Sequence, residues 1–168
     1  MKPTITTQES ITLMGFGFFG DAFAQSAEWT EENEIGRLWN RFMTFVQGQP
    51  LPTLVQSHYY EVHTEVPEAA EKGYVDVFVG AATTKADGLP AGPLYKVLPA
   101  GEYALFTLRG EAIAGDWYYS MLREWLPDAG LRLRWPFVVQ RYDERFKGTD
   151  RLAESELDIL VPVARHEA

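Results

Sequence analysis

The stretch Ile11–Ala24, ITLMGFGFFGDAFA, decides how the rest of the chain is read. It is an apolar run behind Lys2 that ends in Ala22-Phe23-Ala24, so it imitates the core and small-residue cleavage site of a secretory signal. Its details oppose that reading. The approach to the run holds an acid, Glu9, beside the lysine; Gly15, Gly17 and Gly20 interrupt it; Asp21 adjoins the supposed cleavage site. A membrane helix needs about 20 apolar residues, which the run lacks. Phe and Ile alternating with small residues suit a pleated strand whose glycines let a neighbour approach closely.

An internal repeat strengthens the strand reading. Tyr74–Gly80, YVDVFVG, and Glu156–Pro162, ELDILVP, both alternate and both centre on an aspartate, Asp76 and Asp158, at an offset of 82 residues. At the same offset Tyr60-Glu61 lies over Tyr142-Asp143. A helical pattern precedes each pair. In the first, Ile35, Leu38, Trp39, Phe42, Met43 and Val46 form one apolar stripe over about residues 30–46. Thr30 is its expected cap, Glu31 and Glu32 favour the positive end of its dipole, and Gly48 and Pro50 stop it. In the second, over about residues 113–125, Ile113, Trp117, Met121 and Trp125 step by four with Tyr118 and Leu122 alongside. Pro127 then disfavours helix at Leu126.

A glycine-marked strand opens each repeat: the Ile11 stretch in one, YKVLPAGEYALFTLRG from Tyr95 in the other. The order strand, helix, strand, strand therefore occurs twice, which leaves no place for a cleaved signal. The pseudo-repeats run over about residues 8–86 and 94–164, joined at Asp87–Pro93, DGLPAGP, which is too short for an independent linker. A single domain over residues 1–168 is expected, with disorder confined to about the first ten residues.

Composition narrows the chemistry. There is no cysteine, which excludes disulfides, thiolate nucleophiles and cysteine-based zinc sites and suits a reducing, cytoplasmic setting. A net charge of −9 argues against direct nucleic-acid binding, which rests on Lys and Arg neutralising phosphates, and favours cationic small molecules. His58 and His63 lie five apart on an extended stretch and His166 is in the tail, so no metal spacing exists. GFGFFG is not a dinucleotide fingerprint, because no helix opens directly after it. No cofactor and no membrane partner are expected.

LPAGEYALFTLRGE (98–111), DWYYSMLREWLPDAGLRLR (116–134) and ELDILVPV (156–163), with GFGFFG, IGRLWNRF, YYEV and YVDVFVG in the first half, resemble the GyrI-like small-molecule-binding family. That family also supplies effector-binding domains to AraC-type and MerR-type regulators, and the resemblance covers nearly the whole chain. It implies an α+β fold in which duplicated strand-helix-strand-strand units form a curved antiparallel sheet, with two helices on one face and a ligand cleft between the repeats. It also implies lipophilic, cationic ligands held by aromatic walls and a buried acid. Some relatives block DNA gyrase, and a few resemble hydrolases of strained electrophilic rings. The regulators carry a DNA-binding domain for which this chain is not expected to have room.

The candidate ligand-binding residues are Trp39, Tyr60, Phe78, Phe106, Trp117, Tyr118, Gln140, Tyr142 and Glu156. Aromatic faces offer both area and a negative quadrupole to a flat cation, but rings at helical spacing serve a core equally well. Phe42 and Trp125 are read as core, whereas Trp39 and Trp117 hold similar places on the two helices and stand between core and pocket. Tyr118 and Tyr119 project about 100° apart, so one must leave the core. Glu156, Asp158 and Leu160 share one face of the last strand and Leu157, Ile159 and Val161 the other, helix-packed face. Acids in that position are most often solvated, as Glu61 and Glu65 also look; Asp76 and Asp158 suggest a structural role, which leaves Glu156 as the better functional candidate. Where relatives place a glutamate two residues before the tyrosine of PFVVQRYDE, this chain has Gln140. That departure weakens the hydrolase reading, for which Glu156 or Glu111 would be the acid and Tyr118 the water-orienting group. A protein-interaction role, with gyrase or a separate regulator as partner, is the remaining alternative. The leading expectation is stand-alone binding of drug- or dye-like cations, in a transcription-regulatory or drug-response role.

Overall fold

The computed structural model describes residues 1–24, 32–85 and 92–165. In chain order its first elements are β1 (Thr4–Gln8), β2 (Ile11–Gly20), α1 (Glu34–Gln47), β3 (Leu54–Thr64), α2 (Pro67–Lys72), β4 (Val75–Thr83) and β5 (Leu94–Leu98). They are followed by β6 (Gly101–Arg109), helix α3 over residues 117–128, β7 (Leu131–Leu133), β8 (Phe137–Tyr142) and β9 (Glu156–Arg165), with 3₁₀ turns at Gly110–Ile113 and Thr149–Glu154. The fold is α+β, and every pairing described below is antiparallel.

The chain forms two compact units: a central one, Ile11–Leu98, and a terminal one that joins Met1–Ser10 to Pro99–Ala168. In the central unit the strands run β3-β4-β2-β5. Helix α1 lies on the face that carries Met14, Phe16, Val77, Val79 and Ala81, into which it sets Leu38, Phe42 and Val46. The i, i+4, i+8 spacing of those three makes a single buried stripe. The helix starts at Glu34: Asn33 is its cap, its side chain accepting the Gly36 N–H at 2.8 Å. The expected cap Thr30, with Glu31, lies outside the described residues, as do residues 87–91 of the expected joint. Asn33→Ala is expected to cost about 1 kcal/mol in a urea unfolding curve.

The glycines of β2 act through their pairing. Gly15 stands opposite Gly80 of β4, in a row that reads Leu94, Gly15, Gly80, Tyr60 across the strands. No side chain separates the two glycines, so the strands approach at backbone contact.

In the terminal unit the order is β1-β6-β9-β8, with β7 also on β9. The first ten residues, where the composition leaves room for disorder, supply β1, whose Thr4–Gln8 register against Gly101–Leu105 satisfies the edge of β6. The stretch from Tyr95, read as one strand, is two. The chain breaks at Pro99-Ala100 and re-enters through Gly101 at φ +152°, a conformation that favours glycine. Buried Tyr103 ties that corner by donating its hydroxyl to the Pro99 carbonyl at 2.8 Å; burial pushes its phenol up to about 12 against the opposing charge of Arg134.

The second helix also differs from expectation. It begins at Trp117, after a 3₁₀ turn that buries Ile113, and continues through Pro127 to Asp128. Residues 121–125 form a π turn, in which the Leu126 N–H bonds the Met121 carbonyl five residues back. Proline lacks an N–H and crowds the carbonyl four residues before it, and a wider turn there relieves both demands. Among the described residues no helix is long and apolar enough to cross a membrane.

Candidate functional site

Successive residues of β3 point to opposite faces, so Tyr59, Glu61 and His63 share the face under α1 while Tyr60 and Val62 share the other. Glu61 is 2% exposed. Its carboxylate accepts the indole N–H of Trp39 at 2.5 Å and Nε2 of His63 at 2.6 Å, the imidazole standing partly open to solvent. Rings close around it. Trp39 meets Phe42 and Tyr59 edge-on at 6.5 Å, and Tyr59 meets Phe42 at 5.8 Å. Arg41 caps the same face two strands away, its guanidinium 4.2 Å from the Phe16 centroid.

A carboxylate removed from water is costly unless it is hydrogen-bonded and paired. Trp39 supplies a neutral donor and His63 a donor that can carry charge. The result is a buried acid within an aromatic surround, whose negative quadrupole adds to the attraction for a desolvated cation.

Glu61 was expected to be solvated and is not. The signal was present in YYEV: with Tyr60 and Val62 on either side of it and Tyr59 before, the run does not alternate, which marks a strand covered on both faces. The other expected residues of this unit lie apart from Trp39. Tyr60 and Phe78 are buried on the opposite face, where the Lys96 ammonium stands 5.8 Å from the Phe78 centroid.

In the terminal unit Phe106 and Gln140 flank Ile159 in one row, on the face where Phe106 meets Trp125 of α3 at 5.3 Å. Gln140 is buried and accepts the Tyr142 hydroxyl at 3.0 Å, and Tyr142 packs edge-on against Phe146 at 4.9 Å. Trp117 and Tyr118 meet at 6.0 Å at the start of α3, and Tyr119 turns outward. Trp117 therefore opens its helix, whereas Trp39 sits in the second turn of α1; their places are not alike. The strand registers also depart from the uniform 82-residue offset. Val77 faces His63, while its counterpart Ile159 faces Gln140, so the position of Gln140 matches His63 and not His58, its partner at that offset.

Glu156 and Asp158 lie on the other face of β9 and belong to a charge network. Asp158, nearly fully buried, accepts from Thr107 at 2.7 Å, Arg141 at 2.7 Å and Arg145 at 2.6 Å. Burial alone would raise its carboxyl; the hydrogen bonds from Arg141, Thr107 and Arg145 outweigh it and hold the group below the usual range. Asp158 is thus not solvated but the centre of a structural cluster. Glu156 is held by Arg109 at 2.9 Å and Arg145 at 3.2 Å, and the hydrogen bond from Arg109 leads in keeping its carboxyl ionised. A carboxylate so engaged, on the face away from Gln140, suits neither a waiting cation nor a general acid. Glu111 is exposed in the 3₁₀ turn after β6. Of the acids, the geometry brings Glu61 among aromatic rings, and not Glu156.

Solved structures share this α+β architecture. The EcmrR–DNA complex matches with a TM-score of 0.70 at 17% identity, over 98% of this chain and 57% of that one. SAV2435 bound to tetraphenylphosphonium matches with a TM-score of 0.65 at 13% identity, over 98% of this chain and 94% of that one. The Vibrio cholerae integron cassette protein VCH_CASS2 matches with a TM-score of 0.59 at 17% identity, over 97% and 96%. This chain thus spans little more than half of EcmrR, and at these identities the likeness is one of fold. No curated protein matches the sequence. The model of the integron-associated effector binding protein family, Cass2, matches residues 4–163, and the chain belongs to that family.

Proposed function

We propose that the protein binds lipophilic organic cations, with the Glu61 carboxylate as counter-charge and Trp39, Tyr59 and Phe42 as aromatic surround. The observation that carries this reading is a carboxylate 2% exposed, hydrogen-bonded by an indole and an imidazole beneath a helix of aromatic residues. Membership of an effector-binding family and the net charge of −9 support it, since an acidic protein field concentrates cations. SAV2435 was solved with tetraphenylphosphonium, a bulky aromatic cation of the class this site suits. On this reading the protein senses or sequesters such compounds in a regulatory or drug-response role, with any DNA contact left to a partner.

Tetraphenylphosphonium is the first probe. A ligand present at 100 times its dissociation constant adds about 2.7 kcal/mol to stability, which for a protein of this size raises the melting temperature by about 5–11 °C. Intrinsic tryptophan fluorescence should change on titration. A folded sample that shows neither effect with tetraphenylphosphonium or a panel of cationic dyes would overturn the proposal.

A further inference from the structure

We propose that the site exchanges a proton for its ligand: His63 is the resident cation of Glu61, and an organic cation binds by taking its place. The inference rests on the ligand reading given above and adds how that site is regulated.

The argument begins with a 2.6 Å contact between His63 Nε2 and Glu61 Oε1. A carboxylate can only accept, so Nε2 carries the proton, and at low pH the whole ring is an imidazolium. The remaining carboxylate oxygen faces Trp39, a neutral donor. When His63 is protonated, the buried pair is neutral and an incoming cation finds no uncompensated charge. When His63 is neutral, Glu61 keeps its negative charge under the aromatic residues.

Among the described residues, the other charged groups near the pair are engaged elsewhere, face away or are exposed. From α1, Arg37 is paired with Glu34 and Arg41 is seated over Phe16. From β4, the residues opposite Glu61 and His63 are Val79 and Val77, without charge, and Asp76 points to the other face. Thr64, beside His63, takes a hydrogen bond from Lys96 of β5 at 3.3 Å on that same other face. Just past the end of β3, Glu65 has the parity of His63 and is exposed, and His58, of the opposite parity, is engaged by Ser57 at 3.0 Å. The α2 charges, Glu68, Glu71 and Lys72, are on an exposed surface helix.

The sign follows from competition. Lower pH favours the imidazolium and weakens cation binding; higher pH strengthens it. Tetraphenylphosphonium affinity should be tighter at about pH 7.5 than at about pH 5.5, by severalfold or more. At about pH 5.5, calorimetry in buffers of different ionisation enthalpy should record protons released as the cation binds.

His63→Gln separates this account from a merely structural role for the ring, because the amide can still donate to Glu61 but brings no charge. The variant should bind tetraphenylphosphonium at about pH 5.5 nearly as tightly as the parent does at about pH 7.5, with no proton release. His58→Gln should keep the full pH dependence. Binding to the parent that is tight but flat with pH, or a slope that persists in folded His63→Gln, would overturn the exchange and leave cation binding standing. No binding at any pH would overturn both.

Discussion

Gly15→Ala should unfold or nearly unfold the central unit, while Gly17→Ala, two residues along the same face, should be close to neutral. A Cβ on Gly15 would lie 1.9 Å from the Val79 carbonyl oxygen and 2.6 Å from the Gly80 Cα. Both obstacles are backbone, so no flexible side chain can give way. Gly80 meets the same constraint from the other side, its Cβ falling 2.5 Å from the Met14 oxygen. The strands must separate, and with them the β2–β4 register that sets Met14, Phe16, Val77 and Val79 beneath α1. We expect a loss of at least about 4 kcal/mol, the range reserved for steric or buried-group failures, or a fall of about 8–16 °C in melting temperature. At Gly17 the nearest atoms to a Cβ are the Leu94 side chain at 3.6 Å and a carbonyl at 3.7 Å, which is ordinary contact. The pair of variants, measured side by side by chemical denaturation, tests the close approach of the strands independently of strand propensity.

The second large effect is expected at Asp158. Asp158→Asn removes the charge that Arg141 and Arg145 share and leaves a neutral group among three donors. Breaking a buried pair costs about 3–5 kcal/mol; because both arginines reach solvent, the lower end of that range, about 3 kcal/mol, is expected. The pH dependence has a definite sign. Asp158 is held below its ordinary value in the folded protein, so its contribution is present above the unfolded-state value, about 3.9, and is lost as pH falls through the lower folded-state value. Unfolding free energy should be flat above about pH 5 and decline below about pH 4, with a shallower decline in Asp158→Asn. A variant as stable as the parent at neutral pH would show that the network is ornamental.

These two sites also show what the sequence made legible. The glycine-broken run from Ile11 could be read as a closely paired strand because glycine at alternate positions has few other uses in an apolar stretch. The repeated aspartates could be read as structural, but not the arginine cluster that makes Asp158 so. Arg141 and Arg145 come from β8 and the loop after it, and only the register of β8 on β9 places Arg141 opposite Asp158. The second helix was placed correctly in its middle and wrongly at both ends. Glycine at 110 and 115 favours a tighter turn before Trp117, and the rule that proline ends a helix does not hold where a π turn absorbs the missing bond. β1 escaped notice because a strand of five residues owes its order to β6, not to its own pattern.

Glu61 was the consequential misreading. Period-2 logic assigns a charged residue to the wet face, and that logic fails for a strand with both faces covered. Glu156 stands out in the sequence because it lacks an acidic counterpart, whereas its arginine partners lie away from it along the chain, Arg109 by 47 positions and Arg145 by 11.

Glu61, and not Glu156, is the counter-charge proposed for an organic cation. The most direct measurement is a calorimetric titration of tetraphenylphosphonium into the parent, Glu61→Gln and Glu156→Gln at one pH and ionic strength. Loss of a charge partner in a desolvated site costs about 2–5 kcal/mol, so Glu61→Gln should weaken binding by about thirtyfold or more, while Glu156→Gln should bind like the parent. Equal affinity in the parent and a folded Glu61→Gln variant, or loss of binding confined to Glu156→Gln, would overturn that role for Glu61.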